Sequence, residues 1–183
     1  MARVFLFDGT GLLYRAYFAI DQNLTTTKGV PTNALYGLAR MLAKFIKEHI
    51  KVNEDYCAFA LDVKGGSTYR KELYEQYKAH RPETPEPLLR QIELVDELVE
   101  GFGIKLLKLQ GYEADDIIAT LVNLFEKDKI KYNLTEINII TSDKDMLQLV
   151  NENVHVWRVE KGVTDLKKYT PSEVLEKFGV NPQ

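Results

Sequence analysis

The sequence predicts an α/β fold, a mainly parallel, twisted sheet with helices on both faces, and three observations carry that expectation. Short apolar runs, several of them ended by a carboxylate, alternate with longer segments of helical period. The runs are apolar without a polar face, as strands covered on both sides are. One stretch, 64–87, breaks the rhythm, with Gly65 and Gly66 near its start and Pro82, Pro85 and Pro87 at its end.

In order, Val4-Phe5-Leu6-Phe7-Asp8 reads as a buried strand with Asp8 at its C-terminal tip and a turn at Gly9. Residues 33–50 repeat apolar positions at Leu35, Leu38, Leu42, Phe45 and Ile46, the spacing of a helix with one buried stripe. A second strand covers 56–61 and ends at Asp62. The excursion of 64–87 follows and reads as mobile. Within 67–81 it carries Arg70, Lys71, Lys78 and Arg81 against Glu72 and Glu75, with Tyr69, Tyr74 and Tyr77 interleaved. Apolar spacing then predicts one helix over 88–99, from Leu88, Ile92, Val95 and Val99. A strand over 104–109, a helix over 113–125, strands over 137–141 and 154–159, and a short helix opened by Thr170-Pro171 complete the chain. Strands alternating with helices imply βα units around a parallel sheet.

Composition narrows the class. With 183 residues, 45% hydrophobic and 28% charged, the chain reads as one domain that can bury a core without disulfides or structural metal. The single cysteine, Cys57, excludes an internal disulfide and reads as a buried structural thiol. No run approaches the ~18 apolar residues of a membrane span, and the N-terminus lacks a leader pattern, so a cytoplasmic protein without a membrane partner is expected. The formal net charge of −3 excludes a wholly basic nucleic-acid binder but leaves room for a local basic patch. The excursion is that patch: cations among aromatics suit a single nucleic-acid strand, through phosphate contacts and base stacking. The tyrosines equally fit the packed face of a helix.

The acids need more explanation. Ligands of open α/β sheets bind outside the carboxyl ends of the strands, where Asp8, Asp62 and Asp143 fall. Glu113, Asp115 and Asp116 follow the 104–109 strand at a helix start, and Asp145 follows Asp143 by two residues. Taken singly, each acid is accounted for as a helix cap or first-turn residue. Taken together, seven carboxylates would repel unless cations neutralise them. All-oxygen ligands without nearby Cys or His select Mg²⁺ or Mn²⁺ over Zn²⁺, and so many carboxylates have room for two ions. His49, His80 and His155 are scattered, and no phosphate-binding GxxxxGK[ST] loop occurs.

Several ordered motifs resemble one family. They are Phe7-Asp8-Gly9 with Tyr14-Arg15-Ala16; Gly29 with Thr32-Asn33-Ala34-Leu35-Tyr36-Gly37; Tyr69-Arg70 with Tyr77-Lys78-Ala79-His80-Arg81; Gly111-Tyr112-Glu113-Ala114-Asp115-Asp116-Ile117-Ile118-Ala119; and Thr141-Ser142-Asp143-Lys144-Asp145. Together they are similar to the 5′-nuclease domain of bacterial DNA polymerase I, a relative of flap endonucleases and of the wider PIN-like nucleases. The resemblance implies a PIN-like core over 1–183 with a helical arch at about 64–87. It implies that Asp8, Asp62, Glu113, Asp115, Asp116, Asp143 and Asp145 bind metal, Mg²⁺ or Mn²⁺, with two ions in the complete domain. It implies that Arg15, Arg70, Lys78 and Arg81 handle phosphate, the last three in the arch through which a 5′ strand threads.

The implied chemistry is two-metal hydrolysis of phosphodiester bonds at DNA 5′ ends and flaps, in replication and repair. Lys78 and Arg70 supply positive charge to the scissile phosphate. Arg15, Tyr77 and Arg81 position the strand without reading its sequence. The family also carries two further metal-binding aspartates and a duplex-gripping helical hairpin beyond the position of Gln183, with polymerase domains in the same polypeptide. Cleavage by this chain alone is therefore expected to be weak. A non-catalytic module that docks branched DNA, or a PIN-type ribonuclease, are the alternatives. An aspartyl-phosphate enzyme is disfavoured, because the position two residues before Asp8 is Leu6.

Overall fold

The structure is a computed structural model that describes residues 2–63, 68–80 and 82–182. The Lys64-Gly65-Gly66-Ser67 opening of the excursion and Arg81 lie outside the described residues. Among the described residues, six strands form one sheet. They are β1 (Ala2–Asp8), β2 (Tyr56–Ala60), β3 (Lys105–Leu107), β4 (Leu134–Thr141), β5 (Val154–Lys161) and β6 (Asp165–Tyr169). The helices are α1 (Gly9–Ala19), α2 (Asn33–His49), α3 (Thr68–Leu73), α4 (Glu86–Ile92), α5 (Val95–Gly101), α6 (Ala114–Lys127) and α7 (Pro171–Phe178), with a 3-10 turn at Asp145–Leu149.

The strand order is β3-β2-β1-β4-β5-β6, parallel except for the antiparallel β5–β6 pair. Alternate residues of β1 serve opposite faces, as the pleat requires. Phe5 and Phe7 join Phe45 and Phe59 in one core beneath α1, α2, α4 and α5. Val4 and Leu6 join Ile139, Val156, Ile118 and Val122 in the other, beneath α6. Both faces are covered, which is why the strands read as continuous apolar runs. The order reverses between β1 and β4, since the chain first adds β2 and β3 on one side and then returns to the other. In open sheets that reversal opens a crevice at the carboxyl edge.

Three elements differ from the sequence expectation. Residues 9–19 form a helix where a turn was expected at Gly9. The glycines there answer to packing: a Cβ on Gly9 would lie 2.0 Å from the Phe59 ring, and one on Gly11 would lie 2.4 Å from Asp8 Oδ2. The single helix expected over 88–99 is two, α4 and α5, interrupted at Glu93 and Leu94. β6 was not anticipated, and its sequence, Asp165-Leu166-Lys167-Lys168-Tyr169, carries three charged residues among five, as suits a solvent-facing antiparallel edge. Within the excursion the described residues contain one short helix, α3, then turns over 75–80, and no regular element over 82–85.

Candidate functional site

Asp8 ends β1 and caps α1, its Oδ1 accepting a hydrogen bond from the Gly11 amide at 3.1 Å. Its Oδ2 accepts from the Thr141 hydroxyl at 2.6 Å, across the reversal between β1 and β4. Thr141 Oγ1 in turn accepts from the Asp143 amide at 2.9 Å, so one hydroxyl orients the turn that carries the second acid. Burial raises the Asp8 carboxyl above the ordinary aspartate range. The bonds from Thr141 and Gly11 oppose that rise, while the charges of Asp62 and Asp143 add to it.

Asp62 lies two residues past β2 and is held at both ends. Its amide donates to Thr10 Oγ1 at 3.0 Å, and its Oδ1 accepts from the Ala114 amide at 2.6 Å, at the first turn of α6. Asp116 Oδ2 accepts from the Glu113 amide at 3.0 Å, which satisfies another orphan donor of that helix end. Capping thus accounts for one contact each of Asp8, Asp62 and Asp116. It does not account for their convergence on one edge. Gly111, at φ 88°, makes the turn that brings the 113–116 segment back over the sheet.

The described 68–80 segment meets these acids directly. The Arg70 guanidinium is bidentate on Asp116, with Nη1 at 2.8 Å from Oδ2 and Nη2 at 2.6 Å from Oδ1. Its Nη1 also donates to Glu113 Oε2 at 2.6 Å and lies 3.5 Å from Asp115 Oδ1. Lys78 Nζ donates to Glu113 Oε1 at 2.5 Å, and the Tyr77 hydroxyl donates to Glu113 Oε2 at 3.1 Å. The Tyr77 ring lies within cation–π range of both cations, 5.7 Å from the Arg70 guanidinium carbon and 5.1 Å from Lys78 Nζ. Burial would raise the Glu113 carboxyl, but hydrogen bonds from Lys78 and Tyr77 and the charges of Lys78 and Arg70 outweigh it and hold the group low. Asp115 goes the other way: burial and the charges of Asp116 and Glu113 raise it more than Arg70 lowers it.

Arg70, Asp115, Asp116, Asp143 and Asp145 line one cleft of about 130 Å³, floored by Ala119, Met146 and Leu149. Glu113 joins them through Arg70, Asp8 through Thr141, and Asp62 through the start of α6. Among the described residues no three acid, histidine or cysteine side chains stand close enough together to hold a metal ion in this arrangement. Arg70 and Lys78 occupy Glu113 and Asp116 instead. Arg15 lies elsewhere: its Nε and Nη2 donate to the Gly162 and Glu160 carbonyls, at 2.9 and 3.3 Å, and tie α1 to the β5–β6 turn. Arg81 is outside the described residues.

Sequence reasoning did not assign Thr141 and Thr10 their roles. Each is a small hydroxyl next to an acid-bearing turn, and only the fold shows what it touches. Tyr77 was read for stacking by its ring, while its hydroxyl, which carried no reading, bonds Glu113.

Known proteins share the family and the fold of this chain. Residues 3–179 match the family described as 5′-3′ exonuclease, N-terminal resolvase-like domain. The chain is 42% identical over 182 residues to a DNA polymerase I of Caldicellulosiruptor bescii, which covers 97% of this chain and 20% of the relative. It is 41% identical over 183 residues to a 5′-3′ exonuclease of Aquifex aeolicus, covering 100% of this chain and 58% of the relative. A solved structure of T5 5′-exonuclease with divalent metal ions (zinc) bound has the same fold, with a TM-score of 0.64 at 17% identity, over 98% of this chain and 62% of that one. The chain thus spans about a fifth of the polymerase relative and 58% of the exonuclease relative. With the acids gathered on the carboxyl edge of a sheet of this order, and a family match that covers nearly all of its length, the chain belongs to the 5′-3′ exonuclease, N-terminal resolvase-like domain family.

Proposed function

We propose that the chain is the nuclease part of a structure-specific 5′ nuclease, hydrolysing phosphodiester bonds at DNA 5′ ends and flaps with divalent metal ions. One observation carries the reading. Acids from separate strand ends line one cleft together with Arg70, and Lys78 reaches the same acid set through Glu113. Carboxylates for a hard cation beside cations for a phosphate are the two halves of a phosphoryl-transfer site.

The donor set fits Mg²⁺ or Mn²⁺, since the cleft offers the carboxylate oxygens of Asp115, Asp116, Asp143 and Asp145 and no imidazole or thiolate. Asp8, Asp62 and Glu113 complete the group that would hold it. When bound, a pair of such ions supplies a water nucleophile of lowered pKa and stabilises the leaving oxygen. The protein's own residues do the rest. Arg70 and Lys78 place positive charge against the phosphate oxygens as negative charge spreads over them. Tyr77 and Arg81 hold the strand by stacking and phosphate contact, which tolerate any sequence. Thr141 fixes Asp8 and the Asp143 turn in one orientation. Replication and repair are the processes in which the whole protein acts, with polymerase domains in the same polypeptide, as in the polymerase relatives.

The test is single-turnover cleavage of a 5′-labelled flap DNA in Mg²⁺, with EDTA as the blank, by wild type, Asp116→Asn and Lys78→Ala. Metal-dependent cleavage that falls about 10²–10³-fold in each variant supports the reading. Binding of the flap without cleavage, in this chain and in a polypeptide extended beyond Gln183, overturns it in favour of a docking module. Cleavage of RNA in preference to flap DNA points to the ribonuclease alternative.

A further inference from the structure

The two halves of the proposed site are bound to each other. Arg70 and Lys78, which would take a phosphate, hold Glu113 and Asp116, which would take a cation, through contacts of 2.5 to 2.8 Å. The Glu113 side chain is only 7% exposed, so its pairs with Arg70 and Lys78 are screened less than the Arg70–Asp116 pair, whose two side chains are 29% and 28% exposed. The geometry is specific on the arch side as well. Lys78 adopts φ 58°, a left-handed conformation costly to a residue with a Cβ, and from there its ammonium reaches Glu113. Tyr77 keeps the two cations together, with its ring against both and its hydroxyl on the same carboxylate.

We propose that this contact is a lock that couples metal to strand: the arch cations Arg70 and Lys78 close Glu113 and Asp116 to divalent cations until a phosphate draws them away. The inference rests on the metal-dependent reading above and adds its regulation. A divalent cation on Glu113 and Asp116 displaces Arg70 and Lys78, and a phosphate on Arg70 and Lys78 releases Glu113 and Asp116. Each ligand therefore removes the competitor of the other, and the coupling is reciprocal. A strand that threads the arch assembles the metal site as it arrives, while the metal alone faces an occupied set of carboxylates.

Both directions are measurable without turnover on the full 183-residue chain. Mn²⁺ affinity, read from the paramagnetic resonance of the free ion, is compared among wild type, Arg70→Gln, Lys78→Gln and Lys108→Gln. Lys108 pairs with Asp96 and serves as the control for net charge. Arg70→Gln and Lys78→Gln are expected to bind Mn²⁺ about five- to tenfold more tightly than wild type. Lys108→Gln is expected to change it less than about twofold, since a charge outside the contact is screened. In EDTA, a short 5′-phosphorylated single strand should bind Glu113→Gln about five- to tenfold more tightly than wild type. That gain should vanish when Arg70→Gln and Lys78→Gln are both added. Lys78→Gln carries the metal arm if Arg70→Gln proves unfolded by circular dichroism. Mn²⁺ affinities equal to wild type in both arch variants, or matched by Lys108→Gln, overturn the lock and leave the metal reading standing. No Mn²⁺ binding by any of the four proteins overturns both.

Discussion

Single side chains here combine structural and chemical duties, and Asp8 is the clearest case. One oxygen caps a helix and the other faces Thr141, so the same carboxylate that starts α1 sits on the acidic edge. Position at the end of an apolar run was enough to single out Asp8, Asp62 and Asp143. The Thr141 hydroxyl that holds Asp8 and the Asp143 amide was not visible in the same way, because a threonine ending a strand looks like any β-branched strand residue. Arg15 shows the opposite difficulty. Its motif suggests a phosphate contact, yet its partners are carbonyls 145 and 147 residues downstream, which no local pattern encodes. A residue far from the acidic edge gives a testable pH dependence. Glu136 accepts from His155 Nδ1 at 2.8 Å and from Lys168 Nζ at 2.7 Å. The bond from His155 leads and, against the effect of burial, the Lys168 bond and both charges help bring its carboxyl down from 4.5 to about 2. A carboxyl lowered on folding stabilises the protein above its unfolded value and loses that contribution as pH falls toward its folded value. The contribution is therefore present at neutral pH and fades from about pH 4.5 to about 2. Glu136→Gln is expected to lower the unfolding free energy at neutral pH by about 1–2 kcal/mol, allowing for solvent screening. In urea titrations the gap should narrow steadily below pH 4.5; a gap that stays constant with pH would show that the pair acts through packing.

At the scale of elements, the start of α2 depends on a residue from another helix. Thr32 makes no side-chain cap there. The buried Gln91 of α4 substitutes: its Oε1 accepts from the Ala34 and Leu35 amides at 2.8 and 3.2 Å, and its Nε2 donates to Asn33 Oδ1 at 2.9 Å and to the Pro87 carbonyl at 3.0 Å. Asn33 Nδ2 then donates to the Tyr17 carbonyl at 2.8 Å, so α1, α2 and α4 share one buried polar network. Gln91→Leu would leave several buried groups unpaired, at a cost of about 2–3 kcal/mol. A melting temperature about 5–10 °C lower is expected. A shift within about 1 °C would mean that water replaces the lost contacts. Periodicity reports which residues face the core, and Leu88, Val95 and Val99 all do, but it does not report the turn at Glu93 and Leu94 that separates α4 from α5. The parallel strands were legible because both their faces are buried. β6 was not, because three of its five residues are charged and its apolar signal is correspondingly weak.

For the whole molecule, the sheet order sets a gradient of stability. β1 is paired on both sides, to β2 and β4, whereas β3 is a three-residue edge and α3 is exposed along most of its length. Amides of β1 and β4 are expected to exchange with deuterium only through global unfolding, while those of β3 and α3 exchange through local opening at far lower cost. Uniform protection across all four would contradict that order. The alternation of strand and helix in the sequence was sufficient to predict the layers. It did not specify that β1 lies between β2 and β4, since order within a sheet is a property of the folded chain. That order has a consequence for how the molecule is made. The Thr141 hydroxyl that completes the Asp8 corner is 133 residues downstream. At ~5–20 residues per second, synthesis leaves β1 without its β4 partner for roughly 7–27 s. Until β2 is made both edges of β1 are open, and after that the β4 edge stays open, so chaperone binding to the nascent chain should concentrate there. The acidic corner is thus among the last features of the domain to form.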